Sequence, residues 1–183
     1  THTIRQNIPS GKNNPYLDKV NKYGIIDDSL LICKGQYPMG QLLVKESSFK
    51  NTDTGRTVTL EYTNQQGQKI AQGEFINDSL LRLNYYVYDD FGNQRYLIPS
   101  VEDKRISAST FAKAYAPSEL KYSVYHGYDK YGDRILVRNP DQAPVNYVYD
   151  AKHRMILSQD GNQRTKHQWT YCEYDEYDRL LRK

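Results

Sequence analysis

A short phrase that begins with Tyr-Asp recurs four times along this chain of 183 residues. The copies read YDDFGNQRYLIP from Tyr88, YDKYGDRILVRNP from Tyr128, YDAKHRMILSQDG from Tyr149 and YDEYDRLL from Tyr174. A fainter fifth copy, YTNQQGQKI from Tyr62, keeps the tyrosine and the glycine but has Thr63 where the others have Asp. Because such self-similarity reflects a repeated supersecondary unit, it constrains the architecture more than any local propensity does.

Each copy has the features of one β-hairpin. The residues before the Tyr-Asp pair alternate, as in NYYVY at 84–88 and VNYVY at 145–149, which is typical of a strand with two different faces. The Asp can accept hydrogen bonds from backbone N–H groups just ahead, and a glycine supplies the positive φ of a tight turn. The segments that follow, such as RYLI from Arg95 and RILV from Arg134, are β-prone and are predicted to return as the second strand.

The repeat also predicts which residues hold the turns. In two copies the glycine is replaced by His153 and Asp178, which belong to the few other residue types that tolerate the left-handed region. The predicted turn residues are Tyr62, Gly67, Tyr88, Asp89, Gly92, Tyr128, Asp129, Gly132, Tyr149, Asp150, Arg154, Tyr174, Asp175 and Arg179.

The chain as a whole is predicted to be all-β, with successive antiparallel hairpins forming one extended, twisted sheet. Residues 57–62 alternate well and should form a hairpin with residues 68–71, so the hairpin region is placed at 57–183. Residues 1–56 contain scattered Gly, Pro, Asn and Asp, and we expect N-terminal strands and loops that lead into the sheet. Small residues and candidate caps at 107–116, before Pro117, favour one short helix or an irregular excursion.

Composition limits both the core and the partners. Only 38% of the residues are apolar while Tyr alone contributes 18, so tyrosine should supply much of the buried area. The net charge is +3, from 25 basic and 22 acidic residues that are well mixed, which predicts no nucleic-acid partner. The apolar clusters are far shorter than the run of about 20 residues that spans a bilayer, so no membrane span is expected.

Cys33 and Cys172 are far apart and are expected to be free thiols.

The tyrosine-aspartate hairpins resemble the YD repeats of Rhs proteins, which are large bacterial surface and secreted chains that share their repeat with teneurins. The resemblance covers about residues 62–183, and four copies with strand, turn and Arg-led return strand carry it. The segment from Pro140 to Lys183, with its YVYD and LSQDGNQR phrases, is similar to Rhs-repeat proteins of gut Bacteroidetes.

This resemblance implies a structural role without catalysis. In that family YD repeats wind into a hollow β-shell that encloses a C-terminal effector, often a toxin. This segment would then be an arc of the shell wall in a secreted or cell-surface protein, and its partners would be the rest of a longer chain and the enclosed effector. A chain that stops at Lys183 would be a piece of that protein, and its open sheet edge could pair with a second copy.

A surface module that binds a glycan or a partner protein is the alternative, because tyrosine offers flat apolar area at low entropic cost. The candidate ligand face consists of Tyr85, Tyr86, Tyr147 and Trp169. The two hypotheses predict different shapes. A shell piece should have one concave face and open strand edges, whereas a binding module should have a closed fold with a confined aromatic cleft.

An enzyme, a cofactor and a metal site are not expected. His126, His153 and His167 fit no zinc-binding spacing. The carboxylates after each tyrosine (Asp89, Asp129, Asp150 and Asp175) could be read as a glycosidase pair, but one carboxylate per hairpin is more economically a turn brace. GNQR at 161–164 resembles a turn, and no phosphate-binding motif accompanies it.

Overall fold

The computed structural model describes residues 2–6, 20–51, 55–76, 79–107 and 113–183. Within these residues the strands are β1 His2–Gln6, β2 Asn21–Ile26, β3 Leu30–Gln36, β4 Leu43–Asn51, β5 Gly55–Thr63, β6 Lys69–Ile76, β7 Ser79–Tyr88, β8 Gln94–Ile98, β9 Ala114–Tyr115, β10 Val124–Tyr128, β11 Arg134–Arg138, β12 Val145–Tyr149, β13 Met155–Gln159, β14 Thr170–Tyr171, β15 Glu173–Tyr174 and β16 Leu180–Arg182. The helices are α1 Ser100–Ser107 and α2 Gly161–Thr165, with a 3-10 turn at Pro117–Glu119.

Eleven of the strands form one antiparallel sheet, which we call the main sheet. Its order is β1-β4-β5-β6-β7-β8-β10-β11-β12-β13-β14, so most neighbours in the sheet are also neighbours in sequence. The predicted class, all-β with successive antiparallel hairpins, is confirmed. Two further sheets are smaller: β15 pairs with β16, and β2, β3 and β9 form what we call the small sheet. Of the strands before residue 57, therefore, β1 and β4 join the main sheet, whereas β2 and β3 do not.

The helices differ in place from the sequence prediction. α1 ends at Ser107, the first residue of the 107–116 segment, of which residues 108–112 lie outside the described residues. It begins where the carbonyl of Pro99 accepts the N–H groups of Glu102 and Asp103, and these two acids lie at the helix end that favours negative charge. The predicted turn at 161–164 is α2, which is capped by Asp160 in a capping box with Gln163.

Two side chains of the main sheet hold the turn of the β2–β3 hairpin. The guanidinium of Arg95 donates through Nη2 to the carbonyl of Asp28, and the hydroxyl of Tyr96 donates to the carbonyl of Ser29. Asp27 and Asp28 in this turn have φ values of +46° and +60°. The small sheet is thereby fixed over one part of the main sheet.

The other end of the small sheet is joined to α1. The carboxylate of Asp103 accepts hydrogen bonds from the Tyr23 hydroxyl at 2.5 Å and from the Asn21 amide at 2.7 Å. The Tyr23 ring meets Tyr85 of the main sheet edge-on, with 5.3 Å between the ring centroids. Burial, followed by the charge of Asp103, raises the pKa of Tyr23 well above its usual range, so the hydroxyl remains a donor.

Tyrosine supplies a large part of the core, as the composition predicted. The buried tyrosines, all no more than 8% exposed, are Tyr62, Tyr85, Tyr96, Tyr115 and Tyr125. They pack with aliphatic residues such as Leu31, Leu60 and Ile98 between the small sheet and strands β4–β8 and β10 of the main sheet. In contrast, residues 134–183, all of which are described, contain only two buried side chains, Gln159 and Cys172. Cys33 and Cys172 are both buried and unpaired, as expected.

Candidate functional site

Five hairpin turns of the same construction recur along the chain, and we call them together the turn edge: four lie along one edge of the main sheet, and the fifth joins β15 to β16. They are residues 64–68, 89–93, 129–133, 150–154 and 175–179. In the second turn, the N–H of Asp89 donates to the carbonyl of Asn93 at 3.0 Å, and the N–H of Gly92 donates to the carbonyl of Asp89 at 3.0 Å. The same two bonds recur in the other four turns, so the five loops share one backbone geometry.

One side-chain oxygen braces each turn. Asp89 Oδ1 accepts the N–H groups of Phe91 at 3.1 Å and Asn93 at 2.9 Å. Asp129, Asp150 and Asp175 make the same pair of bonds, as the sequence predicted for these positions. Since the two N–H groups would otherwise be unpaired, the carboxylate is a structural part of the loop.

The fifth copy is aligned one residue later than the sequence reading placed it. Asn64 Oδ1 accepts the N–H groups of Gln66 and Gln68, so Asn64 takes the place of the aspartate. Thr63 therefore stands at the tyrosine position, and Tyr62 is not a turn residue. Its side chain is fully buried in the core. The sequence prediction aligned this copy on Tyr62, whereas the turn is set by Asn64, two residues later.

The closing residue of each turn has a positive φ. The angle is +79° at Gly67, +85° at Gly92 and +86° at Gly132, and it is +61° at His153 and +62° at Asp178. The prediction that His153 and Asp178 replace glycine in the left-handed region is thus confirmed.

The tyrosine of each Tyr-Asp pair links its hairpin to the preceding one, a role that sequence reasoning missed. Each hydroxyl donates to the carbonyl of the first residue of the previous return strand. The four bonds are Tyr88 to Lys69 at 3.1 Å, Tyr128 to Gln94 at 3.3 Å, Tyr149 to Arg134 at 3.2 Å and Tyr174 to Met155 at 2.9 Å. A register shift lies immediately before each of these tyrosines, and irregularities of this kind commonly redirect a side chain. The signal in the sequence was that a hydroxyl-bearing ring recurs where Phe would suffice for packing.

Charged side chains reinforce the last two turns. Arg154 donates to Asp150 at 2.8 Å and Arg179 donates to Asp175 at 2.7 Å. Hydrogen bonds from these guanidinium groups and from backbone N–H groups lower the pKa of both carboxyls. The largest lowering of the Asp150 pKa comes from the Arg154 side chain, and that of the Asp175 pKa comes from the Arg179 backbone N–H. A glycosidase acid requires a raised pKa, so these two carboxylates are suited to bracing rather than to proton donation.

Successive turns are also joined by ion pairs. His153 Nδ1 lies 2.7 Å from Asp133 Oδ2 in the preceding turn, and Arg154 Nη1 donates to Asp178 Oδ1 in the following turn at 2.5 Å. The hydrogen bond and the charge of Asp133 raise the pKa of His153. The other two candidate histidines have separate surroundings: His126 Nδ1 lies 3.1 Å from the Gln94 carbonyl, and His167 is exposed with a φ of +52°.

A cleft of about 1220 Å³ lies between the turn edge and the β2–β3 hairpin. One wall is formed by residues 23–28, Lys34 and Tyr37, and the other by the turns at 64–68, 89–93 and 129–132. Arg95 lies in this wall and is 8% exposed. Its guanidinium carbon is 5.7 Å from the ring centroids of both Tyr125 and Tyr128, and its Nη1 is 3.6 Å from Asp89 Oδ2.

The predicted ligand face does not form one site. Tyr85 is 2% exposed and packs in the core, so its assignment to a ligand face is wrong. Tyr86 and Tyr147 lie on β7 and β12, which three strands separate, or roughly 20 Å at the usual strand spacing. Trp169 is 44% exposed and follows α2. Of these four residues, only Tyr86 lines the cleft.

The residues described by the structure contain no group of three or more His, Cys, Asp or Glu side chains that could hold a metal ion. Nor do they include a helix that is both long and apolar enough to cross a membrane. Comparison with known proteins finds no family model that matches the sequence and no matching curated relative.

Gly132 provides a test of the turn geometry. An added Cβ there would meet no atom within 4 Å, so a substitution reports the φ of +86° rather than a clash. We expect Gly132→Val to lower the free energy of unfolding by more than about 1 kcal/mol, because β-branched residues resist positive φ. Gly132→Asn, the matched control, should retain most of the stability. Equal urea midpoints for Gly132→Val and Gly132→Asn would contradict the assigned turn. Gly92→Val should lower the free energy of unfolding in the same way as Gly132→Val.

Tyr88→Phe tests the link between hairpins. Removing the hydroxyl leaves the Lys69 carbonyl without this donor, and we expect the free energy of unfolding to fall by about 0.5–1.5 kcal/mol in urea denaturation. Tyr131→Phe is the control, since Tyr131 is 68% exposed, and its effect should stay within about 0.5 kcal/mol. Similar effects of both changes would show that the Tyr88 hydroxyl does not join the hairpins.

The His153–Asp133 pair should make stability depend on pH. Because the folded state raises the pKa of His153, the pair stabilises the protein below the unfolded value of about 6.5 and loses this effect as pH rises through the raised value. We expect His153→Asn, which still tolerates positive φ, to lower the Tm more at about pH 5.5 than at about pH 9. In an NMR titration, Asp133→Asn should return the pKa of His153 toward its ordinary value. A Tm difference that grows with pH would have the wrong sign.

Proposed function

We propose that this chain is a non-catalytic structural segment of an Rhs/YD-repeat protein. Support comes from the way in which each hairpin is joined to its neighbours. A tyrosine hydroxyl bond connects it to the hairpin before, and strand pairing and ion pairs extend the connection on either side. Contacts of this nearest-neighbour kind allow hairpins to be added one after another, as in other repeat proteins.

The observation that carries the proposal is the repeated tyrosine-to-carbonyl bond. This bond joins each hairpin to the one before it, and the aspartates beside the tyrosines brace the turns, which supports a repeated structural wall. Such a wall would form part of a β-shell that encloses a C-terminal effector or toxin in a secreted or cell-surface protein. Its partners would be the remainder of a longer chain and that effector, and an open sheet edge could pair with a second copy.

The enclosure is tested on the full-length natural protein by limited proteolysis and mass mapping. A site-specific protease sequence is inserted between Asp141 and Gln142, two exposed residues of the connection between β11 and β12. A scrambled insert of equal length is the control. We expect sequence downstream of the repeats to resist a general protease until the inserted site is cut, and to be digested afterwards.

Digestion of the downstream part while the repeats are intact would contradict enclosure. Resistance that persists after cutting at the insert would contradict it as well, because the downstream part would then be stable by itself. The scrambled insert should leave the resistance unchanged after treatment with the site-specific protease.

A further inference from the structure

Strand β2 is an edge strand of the small sheet. It pairs with β3 on one side, and no other strand of the described residues pairs with it. From Tyr23 to Ile26 its pairing with β3 is regular, and this stretch contains neither a proline nor a register shift. Proteins usually block such edges with prolines, bulges or very short strands, as at the two-residue strand β9 on the other side of this sheet. The open edge of β2 therefore requires an explanation.

The cleft between the turn edge and the β2–β3 hairpin runs along this open edge. Its wall includes four successive residues of β2, namely Tyr23, Gly24, Ile25 and Ile26. Because neighbouring side chains in a strand point to opposite faces, a wall that contains residues of both sets is formed by the edge of the strand rather than by one face. Of β3, only Lys34 contributes to the lining. The N–H and C=O groups of β2 that point away from β3 are thus directed toward the cleft.

The cleft has room for one more strand. A strand added beside β2 would lie about 4.8 Å from it. The volume of about 1220 Å³ exceeds the range of about 300–1,000 Å³ that is typical of small-ligand pockets. The regular part of β2 is about 13 Å long at about 3.3 Å per residue, so a segment of about four to six residues can pair with it.

The charges of the cleft are mainly negative. Five carboxylates and three basic groups line it. Asp27, Asp28 and Asp90 are exposed and form no ion pair within the described part of the chain. Lys34 and Lys130 are the lining ammonium groups. Since the chain as a whole carries a charge of +3, the cleft differs in sign from the rest of the protein and favours a cationic ligand.

Phe91 gives the cleft an exposed aromatic ring. It is 93% exposed, so it contributes almost nothing to the core. The aliphatic stem of a Lys or Arg side chain packs on such a ring, and its cationic head is attracted to the ring face. Tyr131 lines the cleft as well, but Lys130 Nζ already lies 4.8 Å from its ring centroid. Phe91 is therefore the better platform for a basic side chain of a ligand.

We propose that the cleft binds an extended, basic segment of a partner polypeptide, which adds to the small sheet as a strand beside β2. The backbone of this segment pairs with the open edge of β2, so main-chain hydrogen bonds supply affinity. Basic side chains at alternate positions of the segment reach the carboxylates of Asp27, Asp28 and Asp90 and the ring of Phe91. This binding does not depend on the enclosure of an effector.

Other occupants fit this cleft less well. Single-stranded nucleic acid stacks on aromatic rings, but it requires a positively charged groove, which this cleft does not provide. An amphipathic helix requires a hydrophobic groove, whereas carboxylates and the backbones of turns form much of this lining. A second copy of the chain is distinguished from a basic segment by the measurements below.

The test is the fluorescence anisotropy of the labelled peptide Lys-Val-Lys-Thr-Lys-Val-Lys on titration with the intact chain. We expect saturable binding that weakens as the salt concentration rises, and little binding of the same peptide with Glu in place of Lys. Two further probes carry N-methyl groups either on the Lys residues or on the residues between them. Because an added strand pairs through only one of its edges, one of these probes should lose affinity by about tenfold or more while the other retains it.

The carboxylates are tested by combining Asp27→Asn, Asp28→Asn and Asp90→Asn in one variant. This variant should bind the Lys peptide about tenfold more weakly than the parent does. Asn tolerates the φ values of +46° and +60° at the first two positions, so thermal melts should match the parent. Asp141→Asn is the matched control, because Asp141 is also exposed, has a φ of +55° and lies outside the cleft lining. Its affinity should be unchanged.

Hydrogen exchange measured by NMR locates the bound peptide. The backbone N–H groups of alternate residues within 22–26 should exchange more slowly when the Lys peptide is bound, whereas those of β12 should not change. Phe91→Ala should weaken binding several-fold without altering this pattern of protection, because its ring contacts side chains of the peptide rather than its backbone.

Five outcomes would overturn the proposal. The Lys peptide does not bind, the Glu peptide binds as tightly, or both N-methylated probes bind like the parent peptide. Alternatively, exchange of the β2 N–H groups is unchanged on binding, or sedimentation velocity shows a dimer that the peptide dissociates, in which case a second copy occupies the edge. None of these outcomes bears on the proteolysis experiment, so the peptide site and the shell wall fail or stand separately.

Discussion

The short turn braced by a single side-chain oxygen is the constraint on which the rest of the structure depends. Because Asp89 and its counterparts hold two N–H groups, and a left-handed residue closes the loop, each hairpin has one register. The bulge that accompanies this loop directs the preceding tyrosine toward the neighbouring hairpin, where its hydroxyl finds a carbonyl. A rule that is local in sequence thereby determines how hairpins are placed side by side.

Stability is unevenly supplied along the main sheet. Strands β4–β10 share a core with the small sheet, and Arg95 and Tyr96 fix that layer by hydrogen bonds to the carbonyls of Asp28 and Ser29. The hairpins after residue 134 have almost no buried side chains, so strand pairing, tyrosine hydroxyl bonds and ion pairs hold them instead. Since exposed ion pairs contribute little each, we expect the last hairpins to open at lower free energy than the first.

The repeat uses different side chains for the contacts between hairpins and for the exposed tips of the turns. The tyrosines of the repeat point into the sheet edge and bond to carbonyls, while the aromatic residues two positions after the aspartates point outward. The turn can vary there freely, since that residue contributes only its backbone N–H to the brace. The side chain at this exposed position can therefore change without any change in the contacts that join the hairpins.

Much of the architecture was predictable from sequence because it is encoded locally. The alternation before each Tyr-Asp pair, the bracing aspartate and the closing glycine lie within about nine residues, so the hairpins, their tight turns and even the left-handed His153 and Asp178 followed from the repeat. The fifth copy was misaligned because Tyr62 was matched to the tyrosines of the other copies, whereas Asn64 accepts the hydrogen bonds that brace the turn. Contacts between distant segments were decided only by the tertiary structure: the small sheet over Tyr85, the Arg95 clamp, the hydroxyl links and the cleft. No local pattern specifies them, because they depend on which strands the twist and the order of the sheet bring together.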